Sequence, residues 1–86
     1  MKYALIGCGR ISPNHIAAAI KNDLKISAIC DVVPQNMVNL LKKFDIDQKK
    51  INQYIDYKKM IEIEKPDLIA IATESGLHAE IALYCI

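Results

Sequence analysis

Apolar residues along this chain follow two rhythms. Tyr3-Ala4-Leu5-Ile6, Ile26-Ser27-Ala28-Ile29-Cys30 and Leu68-Ile69-Ala70-Ile71-Ala72 are short, nearly unbroken runs that stop at Gly7, Asp31 and Thr73. Runs of this length between turn residues predict strands buried on both faces. Elsewhere the apolar positions fall three and four apart, as on one side of a helix. Ile16, Ala19 and Ile20 make the first such stripe, turned toward a sheet and closed by Lys21, Asn22 and Asp23. Met37, Leu40, Leu41 and Phe44 make the second, behind Pro34 at a helix start. Tyr57, Met60 and Ile61 make the third, which Lys65-Pro66 ends, and a fourth opens near Leu77 and runs through Ala79, Ala82 and Leu83 to Ile86. Ile51 to Ile55 is expected to be one further short strand. Strands alternating with helices pair in parallel through right-handed crossovers, so the pattern predicts an α/β fold, part of a doubly wound parallel sheet of three to four strands with helices on both faces. A single-layer α+β domain is the alternative.

Composition narrows the class. A chain of 86 residues is one small domain, 1–86, that buries roughly 60% of its unfolded surface. With 52% hydrophobic and 24% charged residues it is neither disordered nor fibrous. A net charge of +1 gives no field that would draw nucleic acid or an anionic membrane. No apolar run approaches the ~20 residues that span a bilayer, and the start lacks a signal peptide's cleavage site, which together predict a cytoplasmic protein. Cys8, Cys30 and Cys85 match no zinc or disulfide spacing; they are expected to be free, mostly buried thiols, and no metal site is assigned. The fourth helix receives no stop signal before the apolar Ile86, so the sequence is expected to be cut inside an element that continues.

The chemistry lies at the first strand-to-helix turn. Gly7-Cys8-Gly9-Arg10-Ile11-Ser12 leaves a strand and opens a helix, the context in which a GxGxx(G) spacing carries meaning. Gly7 is needed because the turn is too tight for a side chain, and Gly9 because a Cβ would hold a pyrophosphate away from the backbone. The amides of Arg10 and Ile11 then face an anion at the helix N-terminus, where the dipole contributes about 0.3–1 kcal/mol. Ser12 holds the third position, where Gly or Ala is usual; its hydroxyl is small enough to fit and able to serve the first turn. Asp31 lies 22 residues after Gly9 at the end of the second strand, where its carboxylate accepts from both hydroxyls of an adenosine ribose. It is also placed to cap the helix beginning near Pro34, and both roles are compatible. A 2′-phosphate would be repelled by Asp31, and Val32-Val33 offers no arginine to neutralise it, so NAD is favoured over NADP.

With these residues in view, ALIGCGRISPNH, CDVVP and PDLIAIATESGLHAEIAL resemble the N-terminal Rossmann domain of the glucose-fructose oxidoreductase / inositol dehydrogenase / MocA family of NAD(P)-dependent oxidoreductases, over essentially the whole chain. In that family the segment after the fourth strand reads TPxxxH and lies beside the nicotinamide ribose. The resemblance therefore adds Thr73 and His78 to the cofactor-binding set of Gly7, Gly9, Arg10, Ile11 and Asp31. Glu74 replaces the motif's proline, which removes a restriction on the backbone of Thr73 and brings a carboxylate near the cofactor. The Ser-Gly-Leu-His portion resembles members that oxidise nucleotide-linked sugar acids at C3. Full-length relatives continue into a Glu-Lys-Pro motif and a second domain that supplies the substrate site, the proton-transfer groups and the oligomer interface. Glu64-Lys65-Pro66 precedes the fourth strand and is read as a helix end, not as that motif.

The resemblance thus implies the cofactor half of a homo-oligomeric oxidoreductase moving hydride between a carbinol of a sugar, nucleotide-sugar or cyclitol and nicotinamide, the substrate being held by the domain not present. No catalytic residue is assigned: His15 is expected to be partly buried on the first helix, and His78 has no visible substrate to serve as a general base. Alone, the chain is expected to bind dinucleotide without turnover. The alternative is a free-standing nucleotide-binding or sensing module without enzymatic activity.

Overall fold

The computed structural model describes residues 2–9, 12–73 and 75–85. In chain order these form β1 (Lys2–Ile6), α1 (Ser12–Lys21), β2 (Lys25–Cys30), α2 (Pro34–Lys43), a 3₁₀ turn (Gln48–Lys50), β3 (Asn52–Tyr54), α3 (Tyr57–Glu64), β4 (Leu68–Ile71) and α4 (Ser75–Cys85). The alternation matches the apolar rhythm. The differences are at the ends: β3 shrinks to three residues and α4 begins at Ser75 instead of near Leu77. The strands form one four-stranded sheet in the order β3-β2-β1-β4, and every pairing is parallel.

Tyr3 and Leu5 face one core, with Ile16 and Ala19 of α1 and Met37, Leu40 and Leu41 of α2. Ala4 and Ile6 face the other, with Met60 of α3 and Ile81 of α4. Helices therefore cover both faces, which is why β1 and β2 could be written in apolar residues without alternation. A register shift between Tyr3 and Ala4 leaves Ser27 unpaired on β2, and its hydroxyl donates to the Tyr3 carbonyl at 3.3 Å. This bulge lets Ile26 and Ile29 serve the same core although they are three residues apart.

One position of the α1 stripe departs from expectation. Ile16 and Ala19 are fully buried, but Ile20 is 51% exposed. The buried line runs Ser12, Ile16, Ala19, and Ile20 falls past its edge in the last turn, where the chain already bends toward β2. Each of the first three helices ends on a non-glycine residue in the left-handed region: Asp23 (φ 58), Asp45 (φ 54) and Lys65 (φ 46). After α1 and α2 the motif closes with Leu24 N–H on the Ala19 carbonyl and Ile46 N–H on the Leu41 carbonyl, both at 2.9 Å, with Leu24 and Ile46 packed against the core. Asp tolerates this conformation; lysine gains nothing from it.

α3 is anchored at both ends. Asp56 caps its start, accepting from Lys58 N–H. Glu64 at its end is 6% exposed, and one carboxylate oxygen accepts from Asn52 Nδ2 at 2.8 Å and from the Tyr54 hydroxyl at 2.5 Å. That hydrogen bond, followed by burial and the Glu64 charge, pushes the Tyr54 phenol from its ordinary value of 10.0 up to about 12.

Two outcomes follow for stability. Lys65→Gly relieves the left-handed strain at an exposed position and should raise the unfolding free energy by about 0.5–1 kcal/mol in urea denaturation. Because the phenol's folded pKa lies above its unfolded value, its contribution is complete below pH 10 and is lost as the pH rises toward 12. The stability advantage of the unaltered protein over Tyr54→Phe should therefore be constant up to about pH 10 and shrink across the window above it, in urea titrations read by circular dichroism.

Candidate functional site

Parallel strands end on the same side, so Gly7, Asp31 and Thr73 arrive at one edge of the sheet. The edge is stitched together by main-chain bonds: Gly7 N–H to the Cys30 carbonyl at 2.7 Å, Ala72 N–H to Ile6 at 2.8 Å and Asp31 N–H to Tyr54 at 3.0 Å. Gly7 has φ +95, and a Cβ there would lie 2.8 Å from the Ala72 carbonyl oxygen and from Thr73 Cγ2. The fold itself thus requires this glycine. Gly9 differs: a Cβ would meet no described atom within 4 Å beyond its chain neighbours. Its carbonyl accepts from Ser12 N–H at 3.2 Å and from the Ser12 hydroxyl at 2.6 Å, and Ser12 is completely buried. The serine in the third position fits by closing the turn, as its size allowed. Arg10 and Ile11, the two amides assigned to a phosphate, lie outside the described residues.

Asp31 joins the turn to the second strand. Its Oδ2 accepts from Cys8 N–H at 2.8 Å and its Oδ1 from Val33 N–H at 2.8 Å, while Asn36 Nδ2 stands 3.5 and 3.4 Å from the two oxygens. The capping role is realised two residues early: Val33 is the N-cap of α2 and has no side-chain cap, and Asp31 holds its N–H from outside the helix. A carboxylate offers about four acceptor positions. Two are filled by the main chain at short distance, and among the described residues the rest face only the long contacts of an amide that a pair of hydroxyls could displace.

Thr73 follows β4 beside Gly7. Its Oγ1 is buried and has no hydrogen-bond partner among the described residues. Such a hydroxyl costs roughly 1–3 kcal/mol when left unpaired, so its position at this edge fits a ligand that supplies the partner. The His78 side chain lies outside the described residues. His15 sits on α1, half-buried, its carbonyl 3.4 Å from the Tyr3 hydroxyl and away from this edge. Cys8 and Cys30 are buried, free and unreactive: burial first, then the Asp31 charge, raises both thiols to about 12. An open cleft of about 280 Å³ runs from the glycine turn along α2, lined by Cys8, Gly9, Ser12, Asn36, Asn39 and Lys43. Asn36 and Lys43 escaped the sequence reading; their seven-residue spacing puts them on one side of α2, and that was the available signal. Among the described residues no cluster of three or more His, Cys, Asp or Glu is placed to hold a metal, and no helix is long and apolar enough to cross a membrane.

An open glycine turn, an acidic side chain at the second strand's end and a 3-2-1-4 parallel order define a dinucleotide-binding α/β domain. The comparisons with known proteins agree. The chain matches the family described as oxidoreductase family, NAD-binding Rossmann fold, over residues 1–86, and belongs to that family. Among solved structures it is similar to the WlbA dehydrogenase from Chromobacterium violaceum in complex with NADH and UDP-GlcNAcA, with a TM-score of 0.84 and 25% identity, covering 99% of this chain and 24% of that one. The WlbA dehydrogenase from Bordetella pertussis, in complex with the same two ligands, gives 0.80 and 30% identity, with 99% and 26% covered. An oxidoreductase from Agrobacterium radiobacter in complex with NAD+, L-tartaric acid and magnesium gives 0.78 and 29%, with 94% and 23% covered. The chain thus spans about a quarter of the length of these structures. A search of curated proteins gives no match.

The two glycines should separate in a paired substitution. Gly7→Ala should cost at least about 2 kcal/mol of stability, from positive φ and backbone overlap together. Gly9→Ala should stay within about 1 kcal/mol of the unaltered protein, because the added methyl meets nothing within 4 Å among the described residues. Thermal unfolding of the two variants measures both.

Proposed function

We propose that this domain holds NAD across the carboxyl edge of its sheet. The pyrophosphate rests on Gly9 and the Arg10 and Ile11 amides, the adenosine ribose on Asp31, and Thr73 and His78 lie toward the nicotinamide ribose. The observation that carries the reading is the 2.8 Å bond from Cys8 N–H to Asp31 Oδ2, which fixes the acidic side chain against the glycine turn. Among the described residues, nothing fills the open side of Gly9 and nothing pairs with the Thr73 hydroxyl, and both support it. The whole protein is then a dehydrogenase moving hydride between nicotinamide and a carbinol of a sugar, nucleotide-sugar or cyclitol, with the cofactor supplying the chemistry and the domain its orientation. Within that range a nucleotide-linked sugar acid is favoured, by the Ser75-Gly76-Leu77-His78 sequence and by the ligand of the two WlbA structures. Its three free thiols suit the reducing cytoplasm, and the exposed Leu83 and Tyr84 of α4 suit a homo-oligomer.

Calorimetric titration with NAD tests the cofactor assignment. NAD should bind more tightly than NADP, and Asp31→Ala should weaken NAD by about ten- to a hundredfold, the range for hydrogen bonds to a charged acceptor. Equal binding of NAD by the unaltered and substituted proteins would sink the assignment of Asp31.

A further inference from the structure

β3 is the edge strand that carries the last rung before the ribose site. It has three residues and one neighbour, β2, and the Tyr54 carbonyl receives Asp31 N–H at 3.0 Å. A strand so short is positioned weakly by its ladder alone. Its two side chains facing α3, Asn52 and Tyr54, both end on Glu64 Oε2. Glu64 is in turn tied to β1 in the interior of the sheet: its carbonyl accepts from Lys2 Nζ at 3.0 Å, at the start of that strand, where Lys2 N–H also meets Asp67 Oδ2 at 2.8 Å. A buried carboxylate is costly unless its oxygens are hydrogen-bonded, and among the described residues these two are the side-chain donors that Glu64 has. A continuous path therefore runs from β1 through Glu64 and Tyr54 to the Asp31 peptide, and from the Asp31 carboxylate back to the glycine turn at Cys8.

Resting on the cofactor reading above, we infer that Glu64 is a positioning residue for dinucleotide binding: by mooring Tyr54 it holds the peptide that aims the Asp31 carboxylate at the adenosine ribose. Glu64 touches no ligand. It acts through the Tyr54 carbonyl, and its effect is confined to whatever Asp31 contacts.

The test compares NAD with its analogue lacking both hydroxyls of the adenosine ribose, titrated into the unaltered protein, Tyr54→Phe, Glu64→Ala and Glu64→Gln. Tyr54→Phe and Glu64→Ala should weaken NAD by about three- to tenfold, the reach of one impaired hydrogen bond, and leave the analogue nearly unchanged, so the preference between the two narrows. Glu64→Gln keeps an acceptor for both donors and should restore the preference. Should Glu64→Ala not fold, Tyr54→Phe, which changes one hydroxyl, decides the matter. Unchanged NAD affinity in Tyr54→Phe, or equal weakening of both ligands, overturns the inference and leaves the cofactor reading standing. If the unaltered protein does not bind NAD, or Asp31→Ala binds it equally well, the cofactor reading fails and the inference fails with it.

Discussion

β1 is buried on both faces along Tyr3, Ala4, Leu5 and Ile6, none more than 5% exposed, and the rest of the structure is arranged around that fact. A strand of this kind has no room for a polar side chain, so its neighbours must be strands and its faces must be covered by helices. The chain meets both demands with crossovers, which force parallel pairing and bring every strand to its carboxyl end on one side. Polar groups excluded from the sheet collect there. The order β3-β2-β1-β4 adds the crevice: the chain leaves β1 toward β2 and later returns to its other flank as β4, so Gly7 is met by Asp31 from one side and Thr73 from the other.

Asp31 is where the needs of the fold and of the site coincide. Two short main-chain hydrogen bonds to its carboxylate, each of a kind that contributes about 1.5–3 kcal/mol, tie the glycine turn at Cys8 and the start of α2 at Val33 to one side chain without a ligand. The same bonds fix the orientation of the oxygens left over. Its charge also bears on the two nearest thiols, adding to their burial so that Cys8, although it stands inside the glycine turn, remains protonated and a poor nucleophile. The edge is thus built to bind and orient; reactivity comes from what it holds.

Much of this was legible in sequence because buried parallel strands and amphipathic helices leave strong apolar signatures. The Met37, Leu40, Leu41 stripe is written in residues that make the core, and Ile69 to Ala72 in residues that join it or pack against it, although Leu68, at the start of a strand on the sheet's edge, is 42% exposed. The glycine turn and Asp31 were legible through spacing, since a tight turn and a strand end constrain residue type locally. Glu64 was not. Nothing in Tyr57 to Glu64 marks its last carboxylate as buried, because the donors that satisfy it come from β3, ten and twelve residues earlier, through the fold alone. Ile20 erred the opposite way: spacing gave it a place on the stripe, but a helix of ten residues buries only what its short contact with the sheet can reach. Asn36 and Lys43 belong to a third kind, polar residues whose meaning depends on the cleft they border.

Ser12 shows how the turn departs from the common glycine pattern without losing its purpose. A residue in the third position must let helix pack on strand, and a fully buried serine does so only if its hydroxyl is satisfied. The Gly9 carbonyl provides the acceptor at 2.6 Å, and in doing so is held inward against the start of α1. With that carbonyl tied back by both the hydroxyl and the amide of Ser12, the exposed side of Gly9 is its bare Cα, the surface that a pyrophosphate needs to approach. A glycine at position 12 would pack as well but would leave the carbonyl one donor fewer, so the substitution that weakens the motif on paper strengthens the geometry the motif exists to produce.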